Sequence, residues 1–173
     1  GMENYRQLFS PDTELGRWLA TRNTMLRIGR NLFVHAGLSA RLLERDLEMD
    51  TLNARMSEGL YRTSKERRED PTLEFLYRSA GPVWYRGMVC TDEKYDPLTP
   101  EQTDALLRRY DADRLLVGHT IFPDISTFHD GRVIAVNVQN ELNRRKNRGR
   151  AVLIEGSRIS VVGNRGVKRV LEE

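Results

Sequence analysis

Residues 31–37 read NLFVHAG and residues 114–120 read RLLVGHT, and these two stretches decide the predicted fold. In each, a short apolar run ends beside a small residue and a histidine, His35 in the first and His119 in the second. Such runs are typical of buried strands that end in loops at one edge of an α/β sheet, where functional sites gather. We therefore predict that His35 and His119 lie on adjacent loops at that edge.

The rest of the chain alternates between helical and strand patterns and then turns to hairpins. Helices are predicted over residues 11–22 with Ser10 as the N-cap (burying Leu15, Trp18 and Leu19), 39–60 with Ser39 as the N-cap and a break near Asp50, 71–79 and 100–110. The last of these is predicted to begin with a capping box between Thr99 and Gln102. Hairpins are predicted to pair residues 25–28 with 32–34, 125–128 with 133–136 and 151–154 with 159–162. Residues 62–70 read as a solvated loop or frayed helix end, and residues 140–150 as a mobile loop. This order predicts a mixed α/β or α+β domain.

Length and composition limit the possible classes of protein. The 173 residues suit one domain, and 39% hydrophobic residues with a net charge of +3 describe a folded chain without a strong basic bias. No apolar run approaches the length of a membrane helix. The charge-rich stretches 62–68 and 144–150 lack interleaved aromatics, so a single-strand nucleic-acid surface is not indicated. We predict neither a nucleic-acid nor a membrane partner, with a cytoplasmic location as the default unless an upstream targeting segment exists.

Few side chains are available for cysteine or histidine chemistry. Cys90 is the single cysteine, which excludes a disulfide within the chain and a CxxC site, and we predict that it is a passive, at least partly buried residue. The histidines are His35, His119 and His129. His129 falls in a predicted turn and is expected to be an exposed turn residue.

The two strand-end histidines allow two interpretations. Neutral imidazole is a common ligand for Zn, Mn or Fe, so His35 and His119 could share one ion. Alternatively, each is a hydrogen-bonded structural residue. A hydrolytic dinuclear centre also needs bridging and terminal carboxylates, and the sequence contains no Asp-x-His, Gly-Asp-x-x-Asp or Gly-Asn-His motif.

Residues 81–87, GPVWYRG, have no helical period and are predicted to form a loop. The guanidinium fork of Arg86 matches the oxygens of a phosphate group, and Trp84 and Tyr85 could wall a pocket around it. The alternative is that both aromatic side chains plug the core while Arg86 pairs with a surface carboxylate.

Four blocks in this order resemble a known family. They are TELGRWL at residues 13–19, NLFVHAGLS at 31–39, GPVWYRG at 81–87 and VGHT at 117–120. Together they resemble the C-terminal half of a calcineurin-like metallophosphoesterase, within that superfamily most nearly the Shewanella-like bacterial phosphatases, over residues 13–162. The resemblance implies a sandwich of two β-sheets flanked by helices. It also implies a dinuclear metal centre whose bridging hydroxide attacks a phosphate ester.

The same resemblance implies roles for individual residues. His35 and His119 would bind the second metal ion, which would be Mn, Fe or Zn. Arg86 would be a catalytic residue that contacts the substrate phosphate, with Tyr85 and Trp84 lining the substrate pocket. The implied function is a metal-dependent phosphatase that hydrolyses a phosphate monoester of a protein or a small molecule.

The motifs that this family carries in its N-terminal half do not occur in residues 1–173. We expect one partial metallophosphoesterase domain whose remaining metal ligands lie upstream, so that the chain is inactive alone and could lack metal. Other possibilities are a non-catalytic remnant that binds an anion or a partner, and one half of a split enzyme. Because half a sandwich leaves an apolar face or an edge uncovered, we also expect a homodimer or larger assembly.

Overall fold

Two parallel strands, β2 (Asn31–Val34) and β3 (Arg114–Val117), lie side by side in a five-stranded sheet. The computed structural model describes residues 2–172 of the protein. The remaining strands of this sheet are β1 (Met25–Ile28), β4 (Ser126–Phe128) and β5 (Val133–Ala135), and the order is β1-β2-β3-β5-β4. Strand β5 runs parallel to β3, whereas the edge strands β1 and β4 are antiparallel to their neighbours.

A second, antiparallel sheet covers part of one face of the first. It contains β6 (Arg150–Glu155), β7 (Arg158–Gly163) and β8 (Lys168–Glu172) in that order. Leu116 and Ile134 of the first sheet pack against Ile159 and Val161 of β7, and all four side chains are buried. Since side chains alternate along a strand, the neighbours of Leu116 and Ile134 point to the opposite face.

The opposite face packs against helices. The α-helices are α1 (Met2–Leu8), α2 (Glu14–Ala20), α3 (Met49–Gly59), α4 (Ser64–Arg68), α5 (Pro71–Tyr77), α6 (Pro100–Arg109) and α7 (Asn140–Arg145). Short 3₁₀ helices span Ala40–Arg45, Glu93–Tyr95 and Asn164–Gly166. Leu32 and Val117 of the central strands join a single core cluster with Leu52 of α3, Leu76 of α5 and Leu106 of α6.

The mixed α/β class predicted from the sequence is confirmed, as two sheets flanked by helices. The three predicted hairpins are present as β1–β2, β4–β5 and β6–β7. The helix predicted from Thr99 is also present, with the reciprocal Thr99 and Gln102 capping bonds at its start. Within residues 2–172, no helix is both long and apolar enough to cross a membrane.

The first predicted helix differs in its start and in its buried face. Thr13, not Ser10, caps α2, and its hydroxyl accepts a hydrogen bond from the Gly16 N–H at 3.0 Å. Leu15 and Trp18 were predicted to be buried, and both are exposed. Gly16 is the buried residue of this helix, so α2 packs against the rest of the protein through this small residue and not through Leu15 or Trp18.

The long helix predicted over residues 39–60 is divided. It forms the 3₁₀ turn Ala40–Arg45 and then α3, and Asp46 between them has a left-handed φ of 48°. The break therefore falls before Asp50. Ser39 does not cap the first segment, because its hydroxyl donates to the carbonyl of Ala80 at 2.8 Å.

Two polar segments predicted as loops contain helices. Residues 62–70 include α4, which begins with a capping box between Thr63 and Glu66. Residues 140–150 include α7. Neither segment has an apolar stripe to indicate a helix, and α4 is held by local bonds, including those from Arg67 to the carbonyls of Gly59 and Leu60.

The three-stranded sheet leaves the β1 side of the large sheet uncovered. Leu26 and Ile28 of β1 are 44% and 60% exposed. Leu26 borders an apolar groove of about 610 Å³ whose lining also includes Phe33, Val136 and Val152. An open apolar face of this kind favours association.

The predicted self-association can be tested on this face. We expect the chain, whose mass is 20.0 kDa, to have at least twice that mass by light scattering at micromolar concentration. The double substitution Leu26→Thr and Ile28→Thr should shift it to the monomer by removing apolar area while keeping strand propensity. The exposed Val170→Thr should leave the mass unchanged. A monomeric parent chain would contradict the expectation.

Asn53 on α3 connects the helical layer to the edge strand β1. Its side-chain oxygen accepts from the Met25 N–H at 2.9 Å, and its amide donates to the Met25 carbonyl at 2.8 Å, all within the core. Asn53→Ala leaves two buried backbone groups without partners and should lower the unfolding free energy by about 2–3 kcal/mol in urea denaturation. The exposed Asn23→Ala is the matched control. Equal midpoints for the two variants would refute this role of Asn53.

Candidate active site

The parallel pairing of β2 with β3 brings the two strand-end histidines together. Val34 lies opposite Val117, and the Gly118 N–H donates to the carbonyl of His35 at 2.8 Å, which extends the pairing past the end of both strands. Nε2 of His35 lies 3.1 Å from Nδ1 of His119, so the two rings share a hydrogen bond. The predicted neighbourhood of His35 and His119 is therefore present in the structure.

The backbone at His119 adopts an unusual conformation. Its φ is +60°, and the Thr120 N–H donates back to the carbonyl of Gly118 at 2.6 Å, which closes a tight three-residue turn. A non-glycine residue in the left-handed region costs of order 1–3 kcal/mol and is enriched at functional sites. Gly118 favours this close approach to β2, because a Cβ there would lie 3.2 Å from the carbonyl oxygen of His35, which is a tight contact.

The surroundings of His119 favour its neutral form. Burial lowers the pKa of its imidazole, and the positive charge of Arg86 and the neighbouring His35 lower it further. The edge of the Trp84 ring system meets the imidazole, with 5.5 Å between ring centroids. Nε2 of His119 is buried and has no hydrogen-bond partner among the described residues. A buried polar atom without a partner is rare and indicates a place where a ligand or water completes the site.

The loop formed by residues 81–90 is fixed against the end of β2. The carbonyl of Pro82 accepts from the N–H of Ala36 at 3.0 Å, one residue after His35. Tyr85 is only 3% exposed, and its hydroxyl donates to the carbonyl of Asp96 at 2.5 Å. Burial accordingly raises the pKa of Tyr85. Gly87 is required beside it, because a Cβ there would overlap the Tyr85 hydroxyl.

Arg86 extends from this loop toward the histidines. Its Nη1 donates to the hydroxyl of Thr120 at 3.0 Å, and its guanidinium carbon lies 6.0 Å from the centre of the Tyr95 ring. Within residues 2–172 no carboxylate forms an ion pair with Arg86, so its charge is not neutralised. The guanidinium has five N–H donors in a fixed fork, and most of them remain available for an anion.

The structure thus brings together four of the five residues singled out from the sequence. His35, His119, Trp84 and Arg86 face one region, and Trp84 is 55% exposed there. Tyr85 is a core residue that holds the loop, so its contact with substrate stays a prediction. The alternative that Arg86 pairs with a surface carboxylate is not supported within the described part of the chain.

Thr120 is a site residue that the sequence reasoning gave no role. It completes the Gly-His-Thr block, and this adjacency to His119 was the signal available. Its hydroxyl orients Arg86 across the site. His129 lies elsewhere and is not the exposed residue expected, because its ring atoms lie 3.2 Å from the Thr103 hydroxyl and 3.0 Å from the Met88 carbonyl. Cys90 is partly buried and packs against the main core cluster, as a passive residue would.

Comparison with solved structures gives a consistent set of neighbours. The chain superposes on a cold-active protein tyrosine phosphatase with a TM-score of 0.86 and 30% identity. The alignment covers 98% of this chain and 48% of that one. A mutant of a cold-active protein tyrosine phosphatase, and the cold-active protein tyrosine phosphatase of the psychrophile Shewanella sp., each give 0.86, 28% identity and coverage of 97% and 48%. No family model and no curated protein matches the chain.

These comparisons contradict the predicted family. Three solved structures that this chain resembles are named protein tyrosine phosphatases, and no family model matches the chain. The assignment to the calcineurin-like metallophosphoesterases is therefore corrected. The chain spans about half the length of these structures. Three of the four sequence blocks that suggested that family, residues 31–39, 81–87 and 117–120, contain the residues of the candidate site.

The predicted metal cofactor is corrected as well. Among residues 2–172, no group of three or more His, Cys, Asp or Glu side chains could hold a metal ion. His35 and His119 supply two imidazoles, which fall short of the three or four protein ligands typical of a zinc site. The described residues therefore do not fit the predicted Mn, Fe or Zn centre.

The electrostatic coupling of Arg86 to His119 can be measured directly. Replacing Arg86 with Met should raise the pKa of His119, although burial will still keep it below the ordinary histidine value of about 6.5. Arg86→Lys keeps the positive charge and should change the pKa less. The Hε1 chemical shift of His119, followed by NMR as the pH is lowered, reports both values. An unchanged pKa in Arg86→Met would contradict the described geometry.

The lowered pKa of His119 makes the folding stability of the chain depend on pH. Because folding depresses the pKa of His119, the unfolded chain binds that proton more readily than the folded chain. The contribution of this group to stability is therefore complete above the unfolded pKa and declines as the pH falls through it. Arg86→Met should reduce that decline.

Proposed function

We propose that the chain carries a phosphoryl-binding site of a phosphatase that hydrolyses a phosphate monoester. The cold-active tyrosine phosphatases among the neighbours make phosphotyrosine the first substrate class to test. The observation that carries the proposal is the unneutralised guanidinium of Arg86 beside the imidazole of His119, whose pKa is lowered and which is hydrogen-bonded to His35. The substrate would be the phosphorylated partner expected from the sequence.

Arg86 has the chemistry that phosphoryl transfer requires. In the transition state, negative charge is spread over three equatorial oxygens, and a positioned guanidinium stabilises that charge. Thr120 fixes one end of the guanidinium by accepting from Nη1 and leaves the opposite edge for the phosphate. Trp84 forms an exposed apolar wall next to the same position, which suits the organic part of a phosphate ester.

The histidine pair supplies a group for proton transfer. A neutral imidazole at neutral pH can accept the proton of an attacking water while the water oxygen bonds to phosphorus and the ester P–O bond breaks. The leaving oxygen takes up a proton from solvent as it departs. His35 is exposed and hydrogen-bonded to His119, so a proton gained by the pair can pass to solvent through His35.

A second candidate function is supported by the alignment coverage and by the open face. The chain covers 48% of the first neighbour, and His35 also borders the apolar groove beside Leu26 and Phe33. Under this alternative the chain binds a phosphate group without hydrolysing it, or hydrolyses it only when another polypeptide fills the groove. Anion binding by Arg86 is common to both candidates, whereas turnover by the chain alone distinguishes them.

Substitution of Arg86 tests the proposal. We expect Arg86→Ala to lower kcat/KM for phosphotyrosine and p-nitrophenyl phosphate by about 100-fold, since it removes a preorganised charge from the transition state. Arg86→Lys should recover part of this loss, because a lysine keeps the charge without the bidentate fork. Steady-state assays of the purified chain give these values.

Matched measurements separate the two candidates. Arg108→Ala, an exposed arginine next to Asp111 and away from the histidines, is the control and should behave like the parent chain. If the chain shows no turnover, titration with inorganic phosphate should still show binding that Arg86→Ala abolishes, which would favour the second candidate. Hydrolysis that is unaffected by Arg86→Ala would refute the assignment of this site.

A further inference from the structure

A cleft of about 650 Å³ begins at Arg86 and extends away from the histidines toward α4 and α5. Two acidic side chains, Glu74 and Asp96, line it together with a larger set of cations. Its cationic side chains are Arg41, Arg67, Arg68, Arg78, Arg86 and Lys94. The excess of positive charge over negative charge attracts an anionic ligand and concentrates it near the site.

Three of these cations are already engaged and form the walls of the cleft. Arg67 donates to the carbonyls of Gly59 and Leu60 at 2.8 and 2.9 Å and stacks over Tyr77. Arg78 pairs with Glu74 at 3.3 Å. Lys94 pairs with Asp92 at 2.9 Å.

The other three cations lack a counter-charge. Arg41 and Arg68 are exposed, and within residues 2–172 neither side chain makes a hydrogen bond or an ion pair. Arg86 has only the neutral Thr120 hydroxyl. By contrast, Arg55 and Arg132 elsewhere on the surface each contact two carboxylates. Like charges that share one cleft repel each other, and an anionic ligand would relieve that repulsion.

The size of the cleft indicates a ligand larger than one phosphate group. Pockets of about 300–1,000 Å³ hold a drug-sized ligand, and this cleft lies within that range. Its aromatic side chains favour a peptide over a nucleic-acid strand, which stacks successive bases on several exposed rings. Among the lining residues, Tyr77 and Tyr95 are only partly exposed and lie under cationic groups, and Tyr85 is buried. Trp84 is the one lining aromatic side chain that is largely exposed.

We propose that this cleft binds an acidic peptide segment next to the phosphorylated residue of a protein substrate. Carboxylates or a second phosphate of that segment would contact Arg41 and Arg68, while the phosphoryl group to be removed lies at Arg86. This inference rests on the proposed function, because Arg86 belongs to both the site and the cleft. It defines the substrate class as phosphoproteins whose phosphorylated residue lies in an acidic sequence.

The test compares fluorescein-labelled phosphotyrosine peptides whose flanking residues are all Glu or all Gln, with binding to the full chain measured by fluorescence anisotropy. We expect the Glu peptide to bind about tenfold more tightly, with an advantage that decreases as salt is added. The double substitution Arg41→Glu and Arg68→Glu should abolish the advantage. Arg6→Glu with Arg108→Glu makes the same change in net charge at exposed positions outside the cleft and should retain it.

The outcomes separate this inference from the proposed function. Equal affinity for the two peptides, with binding that still depends on Arg86, overturns the acidic cleft and leaves the phosphatase site intact. Preferential binding of the Glu peptide even without its phosphate, and without any effect of Arg86→Ala, supports the cleft and overturns the proposed function. Stronger displacement of the peptide by single-stranded RNA than by unlabelled peptide overturns the acidic-peptide assignment in favour of a nucleic acid.

Discussion

The parallel pairing of β2 with β3 is the constraint on which the site depends. The chain leaves β2 at Val34, builds the helical layer and the 81–90 loop, and returns at β3 with Val117 opposite Val34. This return places His35 and His119 at the same edge of the sheet, and the bond from Gly118 to the His35 carbonyl fixes their register. The crossover also carries Arg86 to that edge, because the Pro82 carbonyl is bonded to Ala36 and Gly37.

Charge is distributed unequally between the two ends of this sheet. At the end where β2 and β3 begin, Arg30 bonds to Asp113 at 2.8 Å and Arg27 to Asp111 at 2.7 Å, so the charges are compensated. At the end where these strands finish, Arg86 has only a neutral partner and the imidazole of His119 is kept uncharged. Exposed ion pairs contribute little to stability, whereas an uncompensated guanidinium in a cleft creates a field that a ligand experiences.

Patterns with a strong local physical cause could be read from the sequence. The hairpins, the Thr99 cap and the neighbouring strand-end histidines belong to this class, because turn residues, capping boxes and apolar runs act over a few positions. The helix α4 was missed although Thr63 and Glu66 form the same kind of box, since its surroundings are charged and carry no apolar period. Strand β8 was missed because Lys168 and Arg169 interrupt the alternation of apolar and polar residues that indicates a strand. Its pairing with β7 is a tertiary contact.

The details of the site depended on interactions distant in the sequence. The left-handed φ of His119 and its unpartnered Nε2 arise from the packing of β3 against β2 and of Trp84 against the imidazole. Likewise, nothing local distinguishes Trp84, which is exposed, from Tyr85, which is buried. The prediction of the family and of the metal depended on the resemblance alone. The choice of Arg86 and the two histidines as candidate site residues does not depend on that resemblance, because it was also predicted from the residues themselves.

The two hydrogen bonds between Asn53 and Met25 occupy backbone groups at the β1 edge of the large sheet. In an antiparallel pair, alternate residues direct both backbone groups toward the partner strand and the others direct them outward. Ile28 faces Asn31 across the turn, so Leu26 also bonds inward, and the outward groups of β1 belong to Met25 and Arg27. Asn53 occupies those of Met25. An incoming strand would therefore find one unoccupied residue along β1, too few for a continuous ladder of backbone hydrogen bonds at this edge.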